Sequence, residues 1–189
     1  NGNYSHAEVL HPFIEDILKE AGMLIGELEG VAVSKGPGSY TGLRIGVSTA
    51  KGLSFALNIP LISIDTLHSL SHAITVEAGT IVPMLDARRM EVYAAVFDKT
   101  HKQIRTIEAE IIEDSSFSEY LALGKVYFLG DGAQKCKETI THKNAIFVSD
   151  KFPSSEQMAA LSHEKFLRKE TEDLAYFEPF YLKDFIVIP

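Results

Sequence analysis

The order of hydrophobic periodicities along this 189-residue chain predicts an α/β fold in two lobes. Up to about residue 78 the pattern runs helix, strand, glycine-rich loop, helix, strand. From Thr80 onward it changes to short β-branched and aromatic runs separated by turn residues, the pattern of a meander. The break at residues 75–80 sets the expected boundary, with a first lobe over 1–78 and a second over 79–189 that includes the C-terminal helix and tail. A chain of this length can bury roughly two thirds of the surface that its unfolded form exposes, enough for a full core.

The first element opens on a capping box, with Ser5 placed to accept from the backbone at Glu8 and the Glu8 side chain to reach back. Val9, Leu10, Phe13, Ile14, Ile17, Leu18 and Ala21 then recur at helical spacing over a face wider than one core contact needs. Gly22 is the expected stop, and "LEGVAVS" a strand. After "KGPGSYTG", Ser39 or Thr41 caps a second helix that runs to about Leu57, where "NIP" ends it ahead of the strand "LISI". On that helix Gly42, Gly46, Thr49, Leu53 and Ala56 share a small, apolar face opposite Arg44, Lys51 and Asn58. A glycine inside a helix costs about 1 kcal/mol relative to alanine, so a close backbone approach is expected at Gly46 and Gly52. The strands "IVPMLD", "MEVYAAVF" and "QIRTIEAEII" follow, then "KVYFLG", a helix over "QKCKETI", a capped helix in "PSSEQMAALSHEKFLRKE" and an extended tail, "EPFYLKDFIV".

Composition narrows the function classes. Lys and Arg number 18 against 26 Asp and Glu, a net charge of −8, so the chain by itself is expected to bind nucleic acid poorly. No apolar run approaches the roughly 20 residues of a membrane span. Cys136 is the single cysteine, which rules out an internal disulfide and fits a reducing compartment; a cytoplasmic location is expected. The chain starts at Asn1, and a missing or truncated start is expected.

A strand, a glycine loop and a helix N-terminus can bind phosphate through free backbone amides. The loop nevertheless departs from the Walker pattern, and Thr41 stands at the third glycine position of GxGxxG. A tight bend is the competing explanation, with Pro37 holding Gly36 extended and Gly38 permitting the turn. His68 and His72, four apart, could chelate a metal, but no carboxylate or third imidazole stands at a matching spacing. Asp86 precedes Arg88 and Arg89 at a hairpin turn, as a salt-bridged hairpin end or as part of a ligand cleft. No nucleophile with its base appears: Cys136 lies in a polar run, and there is no GxSxG elbow.

The run "VAVSKGPGSYTGLRIGVSTAKGLSFALNIPLISIDTLHSL", with "DARRMEVYAAVF", "GDGA" and "PFYLKDF", resembles the TsaB (YeaZ) family of bacterial tRNA threonylcarbamoyladenosine biosynthesis proteins, over nearly the whole chain. The resemblance implies the two-lobed actin-like ATPase fold (ASKHA, ribonuclease H-like), in a degenerate paralogue of the catalytic subunit TsaD. It implies a non-catalytic role: partnership with a TsaD-like subunit and a TsaE-like ATPase in moving a threonylcarbamoyl group to the adenosine 3′ of the anticodon in tRNAs reading codons that begin with A. Homodimers are implied in isolation, tRNA contact only through the complex, and no membrane. Where TsaD carries PLIGVNHMEGH, with two metal-binding histidines, this chain reads "PLISIDTLHSL", so Thr66 and Leu70 occupy the histidine positions and His68 falls between them. No cofactor is expected on this chain, with ATP, ADP or metal held by partner subunits. The family's N-terminal strand hairpin, with its phosphate motif, is missing ahead of Asn1, and Met90 stands where glycine is more usual.

From the resemblance, the first two helices are expected to meet a partner through Leu10, Phe13, Ile14, Ile17, Leu18, Val47, Lys51 and Phe55. Two alternatives of other classes are a metal-dependent glycopeptidase-like hydrolase and an autonomous nucleotide-binding switch. The switch would use Gly36, Gly38, Thr41, Asp86, Gly130 and Gly132 around a cleft.

Overall fold

A computed structural model describes residues 6–183, and its fold is mixed α/β. The expected cap at Ser5 lies outside the described residues. Helix α1, His6–Ala21, ends in a Schellman motif, with Met23 N–H on the Leu18 carbonyl (2.9 Å), Gly22 N–H on that of Lys19 (3.1 Å) and Gly22 at φ 67°. Strand β1, Val31–Gly36, leads through the glycine loop into helix α2, Tyr40–Leu57. Ser39, not Thr41, is the cap, its hydroxyl accepting from Gly42 N–H at 3.3 Å. Asn58 closes α2 in the left-handed conformation (φ 53°), and Ile59 N–H bonds back to the Ser54 carbonyl. Strand β2, Leu61–Asp65, pairs parallel with β1, Val31 opposite Leu61, as a two-stranded sheet.

Helix α3, Thr66–Ser71, joins this unit to a five-stranded sheet of order β5-β4-β3-β6-β7. Its strands are β3 Thr80–Asp86, β4 Glu91–Asp98, β5 Gln103–Ile111, β6 Val126–Leu129 and β7 Ala145–Val148. The first three form the expected antiparallel meander, and β6 and β7 add in parallel beside β3. Helix α4, Ser118–Leu123, precedes β6, and helix α5, Ser155–Leu167, is capped by Ser154.

The core falls into three parts. Val82, Met84, Val92, Val96 and Phe128 cover one face of the large sheet with Leu121 of α4 and Cys136; Leu67 and Leu70 of α3 cover the other with Ile81, Ala95, Phe97 and Leu129. The two-stranded sheet is covered by Val33, Val47, Ala50 and Leu61, with Leu174 and Phe177 of the tail packed against them.

Four expectations are corrected here. The C-terminal helix and tail pack on the first lobe, since Lys165 Nζ donates to the Ser63 carbonyl at 2.9 Å and Glu172 N–H to that of Leu61 at 2.8 Å. In the same region α3 packs on the second-lobe sheet, so the hydrophobic layers do not divide at residue 78. "QKCKETI" forms only a 3-10 turn, Gln134–Cys136, because Cys136 and Ile140 alone supply it with buried anchors. The buried stripe of α2 is Leu43, Val47, Ala50 and Ser54, not the glycine face; among the described residues a Cβ on Gly52 would meet nothing within 4 Å, and one on Gly46 only Val33 at 3.9 Å. Among the described residues no backbone approaches those glycines closely.

Candidate functional site

The two first-lobe helices leave large apolar groups in solvent. Phe13 and Ile17, one turn apart on α1, are 61% and 63% exposed, and Phe55 on α2 is 80% exposed. Helix α1 lies against α2, its Leu10, Ile14 and Leu18 are half-buried, and Met23, Leu24 and Ile25, just beyond the end of α1, are exposed. Two residues expected on this face are placed elsewhere. Val47 is in the core, 3% exposed, because it lies on the stripe that meets β1 and β2. The Lys51 ammonium donates to the carbonyls of Ala175 (3.3 Å) and Phe177 (2.9 Å), holding the tail against α2.

The glycine loop is occupied by the chain itself. Gly36 is not the extended residue that Pro37 would favour: its φ is 114°, and the Gly36-Pro37 bond is cis. Phe180 N–H donates to the Lys35 carbonyl at 2.7 Å, and a Cβ on Gly36 would lie 2.6 Å from the Phe180 carbonyl oxygen. The Tyr181 ring packs 5.0 Å from that of Tyr40. Gly36 is therefore required by the approach of the tail. Gly130 and Gly132 have a similar explanation, since Cβ atoms there would fall 2.1 Å from the Met84 carbonyl oxygen and 2.7 Å from the Leu85 carbonyl carbon of β3. Gly38 is open apart from Leu43 at 3.9 Å, and Thr41 is exposed.

Asp86 pairs with neither arginine beside it. Lys135, which sequence reasoning passed over because it lies 49 residues away, donates to Asp86 Oδ1 at 2.5 Å and to the carbonyls of Arg89 (2.7 Å) and Glu91 (2.6 Å). The Lys135 hydrogen bond, helped by Arg88 N–H, holds the Asp86 carboxyl below its ordinary range. Met90 is half-buried against the second-lobe core, and its carbonyl accepts from Ile112 N–H at 2.9 Å.

At the positions that correspond to the metal-binding histidines, Thr66 is buried with its hydroxyl 2.6 Å from that of Ser34, and Leu70 is fully buried. His68 instead stacks on Phe97 (5.4 Å), and His72 on His101 (4.0 Å) from the β4–β5 turn. Burial lowers the pKa of all three rings; for His72, where His101 and His68 add to the effect, it falls to about 4. His101 was not predictable as a neighbour, because a tight turn brings it back over α3. Among the described residues no group of three His, Cys, Asp or Glu side chains is placed to hold a metal ion. The Cys136 thiol, buried and donating to the Gly132 carbonyl, has its pKa pushed up to about 11, which keeps it protonated and unreactive.

A family model described as "TsaD: tRNA N6-adenosine threonylcarbamoyltransferase" matches residues 3–187. Proteins named tRNA threonylcarbamoyladenosine biosynthesis protein TsaB are similar along the chain. That of Haemophilus influenzae is 28% identical, covering 95% of this chain and 80% of its own. That of Bacillus subtilis is 29% identical with the same coverage. A tRNA N6-adenosine threonylcarbamoyltransferase from a Ruegeria species is 44% identical, but over 38% of this chain and 19% of its own. A crystal structure from Pseudomonas aeruginosa, titled as an uncharacterized protein with similarity to peptidase YEAZ, shares the fold at a TM-score of 0.83 and 24% identity. It covers 95% of this chain and 85% of that one.

Proposed function

The chain belongs to the TsaD family of tRNA N6-adenosine threonylcarbamoyltransferases, and from that premise we propose that it is a non-catalytic subunit of the TsaB type. In this reading it supports a TsaD-type catalytic subunit, with a TsaE-type ATPase, in transferring a threonylcarbamoyl group to the adenosine 3′ of the anticodon in tRNAs reading codons that begin with A. It acts in the cytoplasm, holds no cofactor of its own and reaches tRNA through the complex. In the absence of its partner it pairs with itself, and its two sheets are the lobes of an actin-like fold.

The observation that carries the proposal is the unshielded face of α1 and α2, where Phe13, Ile17 and Phe55 stand in solvent. Contiguous exposed apolar surface marks interaction sites, and interface energy concentrates in a few such anchors, each worth about 2 kcal/mol or more when truncated. The open space beside Gly52 lets a second helix approach α2 closely. Thr66 and Leu70 supply no imidazole for a metal that would polarise the acyl donor, which supports leaving the chemistry to the partner.

The test is the double variant Phe13→Asp with Phe55→Asp, measured for affinity to the TsaD-type protein of the same genome. Both side chains are exposed, so folding should be retained by circular dichroism while affinity falls at least about 100-fold. Unchanged affinity in a folded double variant would remove the interface from this face.

A further inference from the structure

We propose that the tip of the β3–β4 hairpin is a contact for the phosphate backbone of tRNA, made by the guanidinium groups of Arg88 and Arg89. The inference rests on the subunit reading above. Two carboxylates flank the tip in sequence, Asp86 and Glu91, and either would be expected to neutralise an adjacent arginine. Each is instead taken by a lysine from a distant part of the chain, Asp86 by Lys135 of the 3-10 turn and Glu91 by Lys183 of the tail. Asp131, the third carboxylate nearby, directs Oδ1 to the Asp86 amide at 3.1 Å. Arg88 and Arg89 are exposed, and neither guanidinium has a hydrogen-bond or ion-pair partner among the described residues.

The other arginines differ. Arg105 is paired with Glu110 at 2.6 Å and lies over Phe117, Arg168 is paired with Glu164 at 2.7 Å, and Arg44 lies over the Tyr40 ring.

The tip is also held in shape. Ala87 N–H bonds to the Glu91 carbonyl and Glu91 N–H to that of Arg88, both at 3.1 Å, while Lys135 fixes the carbonyls of Arg89 and Glu91. Both arginines are left-handed, at φ 75° and 51°, a conformation that is unfavourable for a non-glycine residue and persists only where the surroundings impose it. The result is two adjacent, unneutralised forks on a rigid turn, in a chain whose net charge of −8 discourages RNA elsewhere. A guanidinium fork matches the oxygens of a phosphodiester. Phosphate contacts set the register of a protein on nucleic acid without requiring a base pocket. The tip would thus orient the tRNA against the complex, leaving base recognition and chemistry to the partner.

The complex of the full chain with its TsaD-type partner is to be titrated with unmodified tRNA by fluorescence anisotropy between 50 and 200 mM salt. The Arg88→Ala, Arg89→Ala double variant should raise Kd about 5- to 20-fold and reduce the slope of log Kd against log salt by about 1 to 2. The double lysine variant should keep the slope, because the charge remains. An alanine variant with unchanged Kd and slope overturns the proposal. So does one that no longer joins the partner on gel filtration, which would make the tip a protein contact. If the unaltered chain fails to join the partner, the subunit reading fails first and takes this assignment with it.

Discussion

The two sheets of this molecule are stabilised in different ways. The five-stranded sheet is covered on both faces, and Val82, Met84, Val92, Ala95 and Phe128 are all 0% exposed. The two-stranded sheet has a core of Val33, Val47, Ala50 and Leu61, with Val33 at 9%, completed by Leu174 and Phe177 from the tail. A parallel pair of strands is normally buried within a larger layered structure. The five-stranded sheet is therefore closed by helices next to its own strands, α3 on one face and α4 on the other, while the two-stranded sheet depends on a distant segment of its own chain and, on the proposed reading, on a partner helix pair.

The largest expected difference lies in the cores. Phe128→Ala, beneath the large sheet between Phe117 and Phe147, should cost about 3–5 kcal/mol in chemical denaturation. Val47→Ala, which removes two methyl groups from the small core, should cost about 2 kcal/mol. Equal losses would erase the contrast. The junction comes next. Burial disfavours the charged forms of His68, His72 and His101, so what these rings contribute to stability is fully present above the ordinary histidine pKa of 6.5. It declines as pH falls from there toward about 4, the folded value of His72, because the unfolded chain takes up protons first. With solvent screening of a half-buried ring, His72 should account for about 1–2 kcal/mol of that decline, and His72→Gln should flatten the pH dependence. A slope unchanged by the substitution would show that the histidine stack is not its source. The smallest effect sharpens the role of the tail. Lys51→Met should lower stability by about 1 kcal/mol and raise hydrogen exchange in residues 171–180 and β1 while leaving β3 and β4 protected. Exchange rising equally in both sheets would mean that the lobes unfold as one unit.

Much of the fold was legible locally. Periodicity located α1, α2, α5 and the meander, and glycine, asparagine and serine at the helix ends acted within a few residues of themselves. The wide apolar face of α1 was visible as a pattern; of its large side chains Phe13 and Ile17 are left in solvent, whereas Leu10, Ile14 and Leu18 are half-buried. The glycine loop was only half legible. A turn was evident from "GPGSYTG", but the tail carbonyl that makes Gly36 necessary comes from Phe180, far along the chain. The pairing of Asp86 was missed for the same reason: proximity in sequence favoured Arg88 and Arg89, and the tertiary structure brought up Lys135.

What the amino-acid sequence determined by itself was the type and order of the elements, the stops of the helices and the membership in a tRNA-modification family, because these depend on short-range sterics, capping hydrogen bonds and a contiguous signature. Only the tertiary structure decided which stripe of α2 is buried, where α5 and the tail dock, and which cations find no partner at the hairpin tip among the described residues. Those outcomes depend on contacts between residues tens of positions apart, such as Lys51 with Phe177 and Lys183 with Glu91. Such contacts leave no trace in any local window, and each is settled by which groups the packed layers bring within reach.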